Sequence, residues 1–298
     1  MQGGRELDVF IQQVINGLAL GSVYALIALG YTMVYGIVRL INFAHGDIYM
    51  IGGFLGYFAT RVLGFSFLPA LVIAMIGCGL LGVIVERFAY RPLRQAPKIA
   101  LLITAIGVSF FLEYIMMWIF TPTPRTLPVM IESYRLQAGE LLITSEQILM
   151  LGVSVGLVLL LQVLVHRTRT GKAMRAVSLD TDAAALMGIN VNSIISITFA
   201  IGSALAGAAG LLVGTYYNRI DPLMGLMPGL KAFVAAVLGG IGSIPGALLG
   251  GLLMGVAESL VSGYLSSTYR DAVAFAILLI ILLVKPSGLL GKRVQEKV

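Results

Sequence analysis

The chain carries little charge. Of its 298 residues only 11% are Asp, Glu, Lys or Arg, while 58% are hydrophobic. A soluble domain has about 25% charged residues, and a soluble core of this size would need that surface to cover it. Solvation by lipid removes the need. Cysteine occurs once, as Cys78 inside an apolar run. This excludes a disulfide framework and any CxxC metal spacing, and makes Cys78 a small packing residue. Histidine occurs twice, as His45 and His166. There is no HExxH and no nucleophile–base arrangement. An enzyme is therefore the weakest reading, with no catalytic residue and no metal ligand set assigned. The alternating short segments of a β-barrel are missing too.

What is present is a series of long apolar runs, with 36 glycines, a residue more frequent in membrane helices than in soluble ones. A span of the bilayer needs about 20 apolar residues. The runs predict an all-α polytopic membrane protein, a single transmembrane domain over residues 1–298. It has about eight membrane segments: Val9–Val38, Ile48–Thr60, Val62–Val85, Ile99–Phe120, Gln147–Val165, Ser193–Tyr217, a broken stretch Pro228–Ser262, and Ala272–Val284. The start holds Arg5, Glu6 and Asp8, and the run after it is too long for a signal-peptide core. It is expected to remain as the first membrane helix.

The net charge of +6 does not point to nucleic acid. Basic residues cluster at the ends of apolar runs, which is the positive-inside pattern of a protein whose partner is the bilayer. Arg87, Arg91, Arg94 and Lys98 mark one cytoplasmic loop. Arg167, Arg169, Lys172 and Arg175 mark a second. Lys285, Lys292, Arg293 and Lys297 mark the tail. The Pro-rich loop from Thr121 to Glu146 lies outside. The N-terminus is then outside and "INFAHGDIYMIGG", Ile41–Gly53, is a bend on the cytoplasmic side.

Parity makes the stretch 228–262 unusual. Tyr217 is outside and the tail inside, so the stretch either enters and leaves on the outer side or crosses twice. It reads as a half-helix, the turn "GGIGSIPG" and a returning helix. Irregular backbone at membrane depth occurs where it is buried in protein or lines a watery cavity, and broken helices often line transport routes. The turn has no Lys-Ser/Thr ending and is no phosphate loop. Gly239, Gly240, Gly242 and Gly246 serve close helix approach, with gating motion as the sharper alternative. Ionisable residues within spans default to functional hypotheses. Here these are Glu113, Lys231 and Glu258. Lys231 and Glu258 can pair across the turn on its outer side, and Lys231 could instead meet a carboxylate. Asn42, His45, Gly46 and Asp47 form the other polar interruption. His45 and Asp47 have no third ligand nearby. Asn42 can satisfy free backbone groups at a helix break and Gly46 permits an unusual turn. The reading is a hinge near the inner gate, with direct substrate contact as the alternative.

The cytoplasmic loop, about 166–192, contains "AMRAVSLDTDAAALMGIN". Asp180 and Asp182 suit a helix start, Ala183 to Met187 favour helix, and Gly188 suits its end. This is a surface helix between two spans, or a knob for another protein's groove. "DAAALMG", Asp182–Gly188, resembles the EAA-x-x-x-G coupling motif of ABC importer permeases, with Asp in place of Glu and without the downstream Ile and Pro of the longer form. From about Ile11 to Lys297 the chain resembles the LivH-type permease of branched-chain amino acid ABC importers. The resemblance is carried by "LGSVYALIALGYTMVYGIVRLINFAHGDIYMIG", "RAVSLDTDAAALMGIN", "KAFVAAVLGGIGSIPGALLGGL" and "VKPSGLLG".

The resemblance implies a multi-pass protein of the bacterial inner membrane. It implies a second, LivM-like permease subunit, two ABC ATPase subunits and a periplasmic or extracellular amino-acid-binding protein. ATP and Mg would sit on the ATPases, and no cofactor on this chain. Arg175, Asp180, Asp182, Ala183, Ala184 and Gly188 would belong to the ATPase coupling site. The pore and gate candidates are Asn42, His45, Gly46, Asp47, Lys231, Gly239, Gly240, Gly242, Gly246 and Glu258. The cargo would be leucine, isoleucine or valine, or urea and short amides in the wider superfamily. A standalone proton-coupled transporter using Glu113 and His45 is the other class, but it has no use for a docking helix.

Overall fold

The computed structural model describes residues 2–39, 41–128, 130 and 134–291. The basic tail positions Lys292, Arg293 and Lys297 lie outside the described residues. Eleven α-helices are described: α1 Gln2–Val38, α2 His45–Arg61, α3 Phe67–Val85, α4 Lys98–Phe120, α5 Ser145–Arg167, α6 Arg169–Leu179, α7 Thr181–Leu186, α8 Val191–Tyr217, α9 Leu226–Gly239, α10 Ile244–Tyr264 and α11 Arg270–Val284. Seven of them are long and apolar enough to cross a membrane: α1, α3, α4, α5, α8, α10 and α11. With the shorter α2, and with α9 and α10 taken as one broken element, the count of about eight segments holds.

The bundle is organised around α1 and α8, whose residues are mostly buried. Small residues decide who touches whom. Gly251 and Gly255 of α10 lie against Ala25, Gly21 and Gly17 of α1. Gly246 and Gly250 of the same helix lie against Gly239 and Ala235 of α9. One helix thus carries two small-residue stripes, one for each neighbour, and backbones meet at distances no larger side chain would allow. Large apolar side chains on α3, α4, α5 and α11 point outward, among them Leu80, Phe111, Leu160 and Leu283. In lipid such exposure costs nothing.

Several boundaries differ from the sequence reading. The third span begins at Phe67, not Val62. The chain turns over 62–66, with Gly64 at φ +68°, a left-handed conformation that glycine adopts without strain. The outer loop contains a hairpin, β1 Arg135–Ala138 paired antiparallel with β2 Leu141–Thr144. Two strands of four residues leave too short an alternation to be seen in the sequence. The hairpin is pinned to the outer end of α1, where Gln12 donates to the Leu142 carbonyl at 2.9 Å and accepts from its N–H at 2.8 Å. Thr144 and Gln147 then start α5 with a reciprocal capping box.

Candidate translocation and coupling sites

The cytoplasmic loop folds as two helices rather than one. Thr168 caps α6 through the Gly171 N–H at 3.0 Å, and the Arg175 guanidinium donates back to the Val165 carbonyl, holding α6 under the end of α5. Asp180 caps α7, accepting from the N–H groups of Asp182 and Ala183, each at 2.9 Å. Gly188 sits at φ +83° and closes the helix. Ala184 is buried and packs α7 onto the main core. Ala183 and Asp182 are exposed, and beyond them Leu186 and Met187 are 88% and 82% exposed. Two large apolar side chains at the tip of a small, capped helix form a knob that nothing among the described residues covers.

The segment after α1 is not a surface bend. His45 packs against Gly30, eight residues before the end of α1, about 12 Å back along that helix. The chain therefore re-enters the bundle before α2 begins, and α2 starts three residues earlier than the sequence suggested. Asn42, His45 and Asp47 are all buried, at 1–2% exposed. Asn42 holds the break. Its side-chain oxygen accepts from the Ala44 N–H at 3.1 Å and from the Tyr90 hydroxyl at 2.7 Å. His45 lies edge-on to Tyr31, ring centroids 4.8 Å apart.

A second helix begins in the same place. The first turn of α9 meets the first turn of α2 through three glycines. A β-carbon on Gly46 would come within 2.5 Å of the Gly225 carbonyl oxygen, and one on Gly229 within 2.8 Å of the Gly46 Cα. Two half-length helices thus start face to face inside the bundle. Around this junction is a cavity of about 160 Å³, about half the lower bound of ~300 Å³ usual for drug-sized ligands and suited to one small solute. Gly46, Gly225 and Gly229 form one side of it. Tyr31, Phe43 and Leu230 form an apolar wall, and Asp47 with Ser109 of α4 forms a polar one. The Ser109 hydroxyl donates to Asp47 at 2.5 Å, and the Glu113 carboxyl, one turn along α4, lies close enough to act on Asp47. Sequence pattern alone does not single out Ser109, Gly225 and Gly229 as neighbours of Asp47. The only available hint was their four-residue spacing from Glu113 and from one another.

From the junction α9 runs about 21 Å to the turn. The turn is anchored where α11 ends: the Leu289 and Leu290 N–H groups donate to the carbonyls of Leu238 and Gly239 at 2.8 and 2.9 Å. Gly240 at φ +105° and Gly242 at φ +93° make the reversal, and Gly239 and Gly246 let its two arms touch. These four glycines belong to the turn and its packing and do not line the cavity. Neither do Lys231 and Glu258. They lie on the opposite face of α9, in a network where Lys231 Nζ is 3.0 Å from Glu258 and 2.6 Å from Asp271. The Arg270 guanidinium and the Tyr24 hydroxyl each reach the other Glu258 oxygen at 3.0 Å. Two cations and two carboxylates close a neutral set joining α1, α9, α10 and α11. A third buried acid, Glu86, binds Arg94 and Arg91 and accepts from the Ser196 hydroxyl at 2.6 Å, fixing the α3–α4 connection to the start of α8.

Residues 13–282 match the family model described as the permease component of the branched-chain amino acid transport system. The chain belongs to that family. The permease is 44% identical to the high-affinity branched-chain amino acid transport system permease protein LivH of Salmonella typhimurium, over 97% of this chain and 98% of that one. To LivH of Escherichia coli it is again 44% identical, with the same coverage. To BraD of Pseudomonas aeruginosa it is 43% identical over 98% and 99%. It is a multi-pass membrane protein and the permease subunit of an ABC importer for branched-chain amino acids, not an enzyme.

Proposed function

We propose that the permease works with a second, LivM-like permease subunit, two ABC ATPase subunits and an external amino-acid-binding protein in the bacterial inner membrane. ATP and Mg act on the ATPases. Leucine, isoleucine and valine, delivered from the binding protein, pass between the two permeases. The observation that carries this reading is α7. Its exposed Leu186 and Met187, on a helix capped at both ends and anchored by Ala184, suit a hydrophobic groove on a partner. A standalone carrier has no use for such a knob.

ATP-driven closure of the ATPases would press on α7, and differential contacts in two states would shift the bundle between outward and inward forms. Three links in this chain fit that route. The start of α8 follows α7 directly. Ser196 on α8 ties it to Glu86, and Tyr90, four residues on, holds Asn42 at the start of α2. The test is purification with co-purifying subunits identified, then reconstitution with leucine-loaded binding protein. Gly188→Asp or Leu186→Asp should leave ATP hydrolysis running without leucine uptake. Full uptake in both variants would remove α7 as the docking element, and uptake of urea in place of leucine would replace the cargo.

A further inference from the structure

The cavity at the α2–α9 junction has one chemical feature that packing does not require. Asp47 is 2% exposed and lies in the cavity wall, yet its partners are a hydroxyl and another carboxyl. Two neighbouring buried carboxyl groups resist double ionisation, and an arriving cation is what would stabilise the carboxylate form. Among the described residues no ion pair to a Lys or Arg involves Asp47 or Glu113, whereas Glu86 and Glu258 each have such pairs. The first turn of α2, which contains Asp47, offsets part of that charge. Glu113 Oε1 is buried without a hydrogen-bond partner. A carboxyl pair with no cation of its own, facing a small cavity walled by Tyr31, Phe43 and Leu230, is complementary to a small solute with a primary ammonium group and an apolar side chain.

We propose that this cavity is a transient substrate subsite, in which Asp47 receives the α-ammonium group of the passing amino acid while the apolar wall takes its side chain. Ser109 and Glu113 act as positioning residues that hold the Asp47 carboxyl toward the cavity. The subsite deepens the amino acid import reading and rests on it. It also gives the permease a selectivity of its own: it passes aminated solutes and disfavours acids and amides of the same shape that lack the amine.

The test uses the assembled permease with its partner subunits in lipid nanodiscs, with Ile106→Cys in a Cys78→Ala background. Ile106 lines the cavity and is itself exposed, so a small thiol reagent reports whether the cavity is filled. Millimolar leucine and leucinamide, which share the ammonium group, should slow labelling, and 4-methylpentanoate, which lacks it, should not. Asp47→Asn should weaken protection about tenfold or more, and Asp47→Glu should keep most of it. Equal protection by 4-methylpentanoate would overturn the proposal, as would undiminished protection in Asp47→Asn. An Asp47→Asn assembly whose labelling without ligand departs from the parent, unrelieved by Glu, would make the residue a folding element and overturn it equally. Failure of the import reading is separate: the parent would then import no leucine in the presence of loaded binding protein, whatever the labelling showed.

Discussion

The permease buries acidic groups in two contrasting ways. Glu258 is fully buried and surrounded by Lys231, Arg270 and Tyr24, with Asp271 completing the charge balance. Asp47 is equally buried, with a serine and a second carboxyl. The two lie on opposite sides of α9. Residues Gly225 and Gly229 turn toward Asp47's helix, and Lys231, two positions on, turns toward α10 and α11. A charge in an apolar interior is retained only when something else requires it. For Glu258 that something is structural, a neutral lock among four helices. For Asp47 no compensating Lys or Arg is paired with it among the described residues, which is the arrangement expected of a site whose partner comes and goes.

Substitutions can break this contrast or sharpen it. Lys231→Met should have the largest effect on stability, about 3–5 kcal/mol, because it leaves the fully buried Glu258 short of a cation. Thermal unfolding of the detergent-solubilised protein measures it. The double change Lys231→Met with Glu258→Met should cost less than the sum of the two single changes, and strict additivity would show that the pair does not act as a unit. Next comes Gly46→Ala. The added methyl would press on the Gly225 carbonyl, so a loss of about 1–3 kcal/mol is expected, together with slowed leucine transport, since both half-helices move apart. Tyr90→Phe removes one hydrogen bond to Asn42 and should cost about 0.5–1.5 kcal/mol, read from the same melting curves. Asp47→Asn should be the mildest in stability, within about 1 kcal/mol of the parent, since no ion pair is lost. A loss as large as that of Lys231→Met would place Asp47 among the structural acids and erase the distinction.

The apolar spans, the basic loops, the capped helix α7 and the glycine turn were legible, because each of these is a local signal. Asp180 as a cap and Gly188 as a stop can be read from residue type and spacing alone. The Lys231–Glu258 pair was also legible, since the turn between them fixes which residues face each other. What remained hidden was the depth of the Asn42–Asp47 segment. A polar interruption after a helix looks the same in sequence whether it sits at the membrane surface or folds back about 12 Å into the bundle. Only the tertiary contacts of His45 with Gly30, and of Gly46 with Gly225 and Gly229, tell the two apart. Ser109 was invisible for a related reason: a single hydroxyl in an apolar helix gives no hint of what lies opposite.

The hydrogen bonds from Leu289 and Leu290 to the end of α9 have a consequence for how the protein is made. The carbonyls of Leu238 and Gly239 have these N–H groups as their donors, and the donors are synthesised some 50 residues later. During translation the inner lip of α9 therefore waits, unsealed, while α10 and α11 are threaded into the bilayer. Closure of the broken element is among the last events of biogenesis. A released chain truncated before residue 289 would keep the residues of its glycine contacts and its ion network but leave those two carbonyls without their donors.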